Sequence, residues 1–226
     1  MEKLSKSKFF FNKIYHIIFG ERFNKKINYN FPKNISRIDL IKKFIAKNEY
    51  QSYLEIGCDS DVLFNSINTK VKIGVDPVSG GNFKGTSDDF FASNISKFDC
   101  IFIDGLHEYE QVKKDIQNSI RCLNNNGAIL LHDCLPVSYA AQAVPRYKSS
   151  WNGDVWKAIV EVRTWGEVDV KTVLIDHGVS IIKKRKNTNL LKLNYKKFSN
   201  LKFKDFYHNY SNYLQIIDYR NIDSYY

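Results

Sequence analysis

The chain has 226 residues, 43% of them apolar, with 16 Phe, 14 Tyr and 3 Trp. That composition argues against a disordered polymer, and the length suits one α/β core with appended ends, not two full enzymatic domains. Of 34 Lys and Arg residues, twelve lie in positions 1–50 against four acids, leaving 22 against 20 elsewhere, so the net +10 is an N-terminal property and the body lacks a nucleic-acid footprint. No apolar run approaches the roughly 18 residues of a membrane span, and the N-terminal apolar run has no small-residue cleavage site. Cys58, Cys100, Cys122 and Cys134 form neither a CxxC pair nor a zinc-finger spacing, which fits a reducing, cytoplasmic setting.

In chain order, residues 1–34 read as a basic amphipathic extension. Phe10, Phe11, Ile14, Ile17 and Ile18 recur at helical spacing with Lys8 and Lys13 between them. Such a helix suits packing on the domain with a solvated basic face, or docking to an anionic membrane surface or a glycan-assembly complex. Residues 35–185 then alternate. A helix with Ile38, Ile41 and Ile45 on one face precedes a strand at 52–57. A short helix at 60–67 follows, capped by Asp59 or Ser60, and β-branched residues 71–76 form the next strand. Another apolar run at 98–103 leads to a helix through Val112, Ile116, Ile120 and Leu123, then to a buried run at 127–131. Strands alternating with helices predict right-handed crossovers and a mostly parallel sheet with helices on both faces. After a helix within 153–163, the runs at 168–176 and 179–184 are separated by only His177 and Gly178, so they form an antiparallel hairpin. Residues 186–226 read as a Tyr-rich tail with a last helix over 203–217, covering a sheet face or making a dimer contact.

In an open α/β sheet, ligands bind at the carboxyl ends of the strands. Four predicted strands end there in polar groups: Glu55 with Gly57, Asp76, Asp104, and His132 with Asp133. The first turn, "GCDSD", lacks the G-x-G-x-x-G of a dinucleotide site, and its two aspartates would repel a pyrophosphate. They suit S-adenosylmethionine, which carries an ammonium and a sulfonium.

In this order, "YLEIGCDSD", "IGVDP", "GTSDDFF", "IDGLHEYEQVKKDI", "GAILLHDCLP", "NGDVWKAIVEVR" and "DHGVSIIKK" resemble a class I S-adenosylmethionine-dependent methyltransferase of the bacterial small-molecule and sugar O-methyltransferase type. The resemblance covers about residues 50–185. It implies a Rossmann-like seven-stranded sheet whose last strand runs antiparallel. It also implies Glu55 and Gly57 at the methionine end of the cofactor, Asp76 at the ribose, and Ser87 with Asp88 along the adenine. The turn departs from the fuller E-x-G-x-G-x-G pattern at Cys58 to Asp61.

Methyl transfer to a hydroxyl needs an aligned acceptor and a destination for its proton. The resemblance implies that Asp104, His132 and Asp133 stand where some relatives hold a divalent cation, Mg²⁺ or Mn²⁺. Asp104 would equally serve the cofactor's amino group or cap the next helix, and Asp133 would cap the segment after it. His107 is the candidate general base, the alternative being a helix-start histidine bonded to backbone. The connection 135–156 is expected to form the acceptor pocket, with Tyr139, Arg146, Tyr147 and Trp151 against a sugar and Trp156 in the core. The expected partner is thus a small-molecule or glycan acceptor, not nucleic acid. Methylation of another small metabolite, or an inactive binding protein on the same fold, are the alternatives.

Overall fold

The computed structural model describes residues 5–193 and 195–225. After helices α1 (Lys6–Phe19) and α2 (Arg37–Lys47), the chain alternates through β1 (Ser52–Ile56), α3 (Val62–Ser66), β2 (Val71–Asp76), β3 (Phe83–Lys84), α4 (Ser87–Ser93), β4 (Phe98–Ile103), α5 (Tyr109–Cys122) and β5 (Leu123–Leu131). Two helices follow, α6 (Tyr139–Gln142) and α7 (Val155–Val162), then β6 (Asp169–Val173), β7 (Val179–Lys183), α8 (Phe203–Leu214) and β8 (Ile216–Ile217).

The strands form one sheet in the order β3-β2-β1-β4-β5-β7-β6-β8. All neighbours are parallel except β5 with β7 and β6 with β7. This is the Rossmann-like sheet with one antiparallel insertion that the alternation and the His177–Gly178 turn predict. Because side chains alternate across a strand, Ile101 and Ile103 of β4 join the core under α5, α7 and α8, while Cys100 and Phe102 join the core under α2 and α3. The near-continuous apolar strands follow from burial on both faces. All four cysteines are buried and unpaired.

Three local readings change. The N-cap position of α3 is Asp61 (φ 61°), not Asp59 or Ser60, and its side chain makes no cap, because its carboxylate turns away to accept the Gly81 N–H at 2.7 Å. The last helix stops at Leu214, where Gln215 adopts a left-handed conformation (φ 47°). Ile216 and Ile217 then pair with Thr172 and Val173, giving the free edge of β6 a partner. The two-residue β3 lies at the opposite edge, and with β8 added beside β6 the sheet has eight strands where seven are expected.

Helix α1 also differs from a helix packed by its apolar face. Its inward side chains are Phe9, Asn12 and His16. Asn12 Nδ2 donates to Arg146 O at 2.7 Å, and the two His16 ring nitrogens lie 2.7 Å from Tyr139 Oη and 2.7 Å from Pro145 O. None of its residues is fully buried. Among the described residues, no helix is long and apolar enough to cross a membrane.

Candidate active site

Parallel strands β1, β2, β4 and β5 deliver Glu55, Asp76, Asp104 and the His132–Asp133 pair to one edge of the sheet, and all five line a single cavity of about 610 Å³. Gly57 permits the closure: it sits at φ +89°, and a Cβ there would run into the backbone of Asp104 and Gly105. With no side chain between them, the ends of β1 and β4 stay joined by Asp104 N–H donating to Ile56 O at 2.8 Å.

Glu55 is 1% exposed and accepts a 2.6 Å hydrogen bond from Tyr53 Oη. Burial pushes its carboxyl up to about 8, against the opposing Tyr53 bond, and Asp104 and Asp61 add to the rise. Asp76 fastens the first turn. One of its oxygens accepts the N–H groups of Cys58 and Asp59, at 3.1 and 3.0 Å, and the other those of Val78 and Ser79, both at 2.8 Å. Burial opposes its ionisation, but these bonds hold the carboxyl below its ordinary value. A carboxylate has about four lone-pair directions, so the residue assigned to the ribose by resemblance is already saturated with backbone donors. Ser87 and Asp88 open α4 on the far wall. Gln111 Nε2 lies 3.1 Å from Ser87 Oγ and 3.2 Å from Asp88 Oδ1, and Lys114 Nζ 2.6 Å from Asp88 Oδ2, tying α4 to α5.

The ionic centre of the site is His107, 6% exposed. Its Nε2 lies 3.2 Å from Asp104 Oδ1, and its Nδ1 lies 3.2 Å from Asp133 Oδ2 without hydrogen-bond geometry to any described group. Burial disfavours the imidazolium, but Asp104 and Asp133 outweigh it and raise the His107 value. Asp104, His107 and Asp133 each offer a ligand atom, all within 4.8 Å of one another. His132, grouped with the two aspartates on the sequence, stands outside that set. Its Nε2 donates to Asp176 O at 2.7 Å and its Nδ1 faces Asp104 Oδ1 at 3.3 Å. Burial opposes the charge, yet Asp104, Asp176 and Asp133 push His132 up to about 10. Asp104 is in turn held well below the usual carboxylate range, its burial outweighed by His132 and His107.

Residues given no role, or a different one, on the sequence complete the centre. Arg37, at the start of α2, places Nη1 3.2 Å from Asp176 Oδ2 and Nε 3.7 Å from Asp104 Oδ2. Asp176 follows β6 at the same sheet edge, so the rule that found Asp104 also applied to it. Segment 151–154 clamps His107 and its neighbours. The Trp151 ring stacks on the imidazole at 22° with centroids 5.5 Å apart, Asn152 Nδ2 donates to Asp133 Oδ1 at 2.8 Å, and Asp154 N–H donates to His107 O at 3.2 Å. Gly153 (φ +66°) presses against the His107 carbonyl, where a Cβ would overlap. The clamping role of "WNGD" has no local signal, because its partners are His107, more than 40 residues upstream, and Asp133, just past the end of β5. The four side chains expected to meet a sugar are engaged within the protein. Tyr139 and Tyr147 meet His16, Trp151 covers His107, and the Arg146 guanidinium spans Phe9 and Trp151, 5.8 and 5.5 Å from their ring centroids. Trp156 is fully buried, as expected.

Residues 48–134 match the family model of a methyltransferase domain. No curated protein matches the chain. Among solved structures, the S-adenosylhomocysteine-bound methyltransferase PaMTH1 of Podospora anserina superposes with a TM-score of 0.52 at 16% identity, covering 82% of this chain and 100% of its own. A putative caffeoyl-CoA O-methyltransferase from Staphylococcus aureus gives 0.51 at 17% identity, covering 80% and 93%. The O-methyltransferase TomG of Streptomyces achromogenes, in complex with S-adenosylmethionine, gives 0.51 at 9%, covering 81% and 91%. At these identities the superpositions establish the fold alone. The domain match falls on the strands that build the cavity, so residues 48–134 are similar to a methyltransferase domain, whose cofactor would be S-adenosylmethionine.

The cavity fits that cofactor. Its volume lies within the usual range for small-molecule sites of about 300–1,000 Å³, the buried Glu55 carboxyl offers a counter-charge for an ammonium, and Gly57 leaves the turn open for close backbone approach.

Proposed function

We propose that the enzyme methylates a hydroxyl of a sugar or surface-glycan precursor, with Asp104, His107 and Asp133 at the reacting end. The observation that carries this reading is the buried His107 Nδ1, held between two carboxylates without a hydrogen-bond partner among the described residues. An imidazole donating from Nε2 to Asp104 would turn the Nδ1 lone pair toward an Asp133 oxygen, a repulsive arrangement. A proton or a metal ion at Nδ1 relieves it.

The cofactor supplies the electrophilic methyl group. Glu55 binds its ammonium, Gly57 admits it to the turn, Asp76 anchors the loop around the ribose, and Ser87 with Asp88 borders the adenine. Once neutral, His107 accepts the acceptor's proton at Nδ1, and Asp104 stabilises the resulting imidazolium through Nε2. Trp151 and Asn152 keep His107 and Asp133 aligned. The sugar class rests on the ordered motif text from "YLEIGCDSD" to "DHGVSIIKK".

A second reading, metal assistance, is favoured by the 4.8 Å clustering of ligand atoms. Asp104, His107 and Asp133 would hold Mg²⁺ or Mn²⁺, which would lower the pKa of the acceptor hydroxyl. One experiment serves both: methyl-labelled S-adenosylmethionine is incubated with a panel of nucleotide-activated sugars, with and without EDTA. A methyl ether on a sugar oxygen is expected on either reading, and on the second turnover falls on chelation and returns with Mn²⁺. Label on nitrogen or carbon, or on no sugar, would overturn the acceptor reading, and turnover indifferent to EDTA would remove the metal.

A further inference from the structure

We infer that α1 is a membrane-docking helix that lies in the interface of an anionic lipid surface. Successive helical residues are about 100° apart, which puts Phe9, Asn12 and His16 on one side and Phe10, Phe11, Ile14, Ile17 and Ile18 on the opposite side. The first three are partly buried against the protein, while the five apolar side chains are between 37% and 67% exposed. The helix therefore spends its polar face on the protein and offers its apolar face to solvent, the reverse of a surface helix packed on its own core. Five large apolar residues in one stripe form a patch of the kind that marks an interaction site.

Charge identifies the occupant. Lys6 and Lys13 flank the stripe on one side and Lys8 on the other, all three are exposed, and Lys6–Phe19 contains no acidic residue. An apolar face bordered by lysines matches an anionic headgroup layer above acyl chains. A second copy packed on the same stripe by a twofold axis would instead bring like-charged lysines together.

The helix is also attached to the catalytic wall. His16 meets Tyr139 and Pro145, Asn12 binds the Arg146 carbonyl, and the Arg146 guanidinium lies over Trp151, which stacks on His107. A docked α1 would thus hold the wall of the site at the lipid surface. This inference is independent of the acceptor's identity.

Flotation of the full chain with phosphatidylglycerol–phosphatidylcholine vesicles tests it, with pure phosphatidylcholine as reference. Strong partitioning onto the anionic vesicles alone is expected, weakening as salt is raised. Each of Lys6→Gln, Lys8→Gln and Lys13→Gln is expected to lower partitioning roughly fivefold, and the F11D/I14D double variant to abolish it with thermal stability and cofactor affinity unchanged. Failure to bind anionic vesicles would overturn the proposal, as would equal binding by F11D/I14D. So would a stripe that proves, by sedimentation velocity, to be a dimer interface in a chain that ignores vesicles.

Discussion

The indole of Trp151 lies almost parallel to the imidazole of His107, inclined by 22° with centroids 5.5 Å apart. A side chain from the loop before α7 thereby fixes the ring plane of a histidine that follows β4, and with it the direction of both ring nitrogens. Trp151→Ala would remove this wall and leave a void, at a cost of about 3–5 kcal/mol, read as a lower melting temperature. Trp151→Phe keeps an aromatic face of smaller size. It should retain cofactor affinity while turnover falls by up to about 10²-fold, the scale of a misplaced catalytic group.

Glu55 links cofactor binding to pH. Its carboxyl, raised from 4.5 to about 8 in the folded protein, favours the protonated fold. Its contribution to stability is therefore full below the ordinary value and is lost as pH rises through about 8. An arriving ammonium favours the carboxylate, so S-adenosylmethionine binding near neutral pH should release a proton, and affinity should rise between pH 6 and about 8. Calorimetry in buffers of different ionisation enthalpy measures the proton directly. Glu55→Gln should bind more weakly and with little pH dependence.

Gly57→Ala should cost the cofactor site. The added methyl group meets the Asp104 backbone at a position already at φ +89°, so either the ends of β1 and β4 part or the turn refolds. Cofactor affinity is expected to fall by more than tenfold, the equivalent of about 1.4 kcal/mol, with the loss visible in calorimetry.

The two buried histidines should separate under metal titration. On the metal reading, Mn²⁺ binding followed by electron paramagnetic resonance should be lost in His107→Ala and Asp133→Asn and largely retained in His132→Gln, because His132 is committed to Asp176 and Asp104. Loss in His132→Gln with retention in His107→Ala would restore the ligand set expected from the sequence.

Much of this site was legible because parallel strands place their last residues together. Glu55, Asp76, Asp104 and the His132–Asp133 pair could be assigned to one edge from apolar runs that stop in charge. Asp176 obeys the same rule, but its place at a hairpin masks it. Arg37, Asn152 and Trp151 were not legible in role, since each acts on a partner far away in sequence and none stands in a pattern of its own. That His107 and not His132 clusters with Asp104 and Asp133 depends on which side chains the fold brings within reach of one another, a fact of tertiary structure. The direction of α1 was hidden for a related reason. Periodicity identifies an apolar face but does not say whether the protein or something else covers it.

The central claim, that His107 acts on the acceptor and does not bind the cofactor, is tested most directly by separating the two in one variant. His107→Ala is titrated with S-adenosylmethionine by calorimetry and assayed for transfer of the labelled methyl group. The account predicts near wild-type cofactor affinity with turnover reduced by about 10²–10⁴-fold, the contribution of a general acid or base. Full turnover in His107→Ala, or loss of cofactor binding in step with turnover, would contradict it.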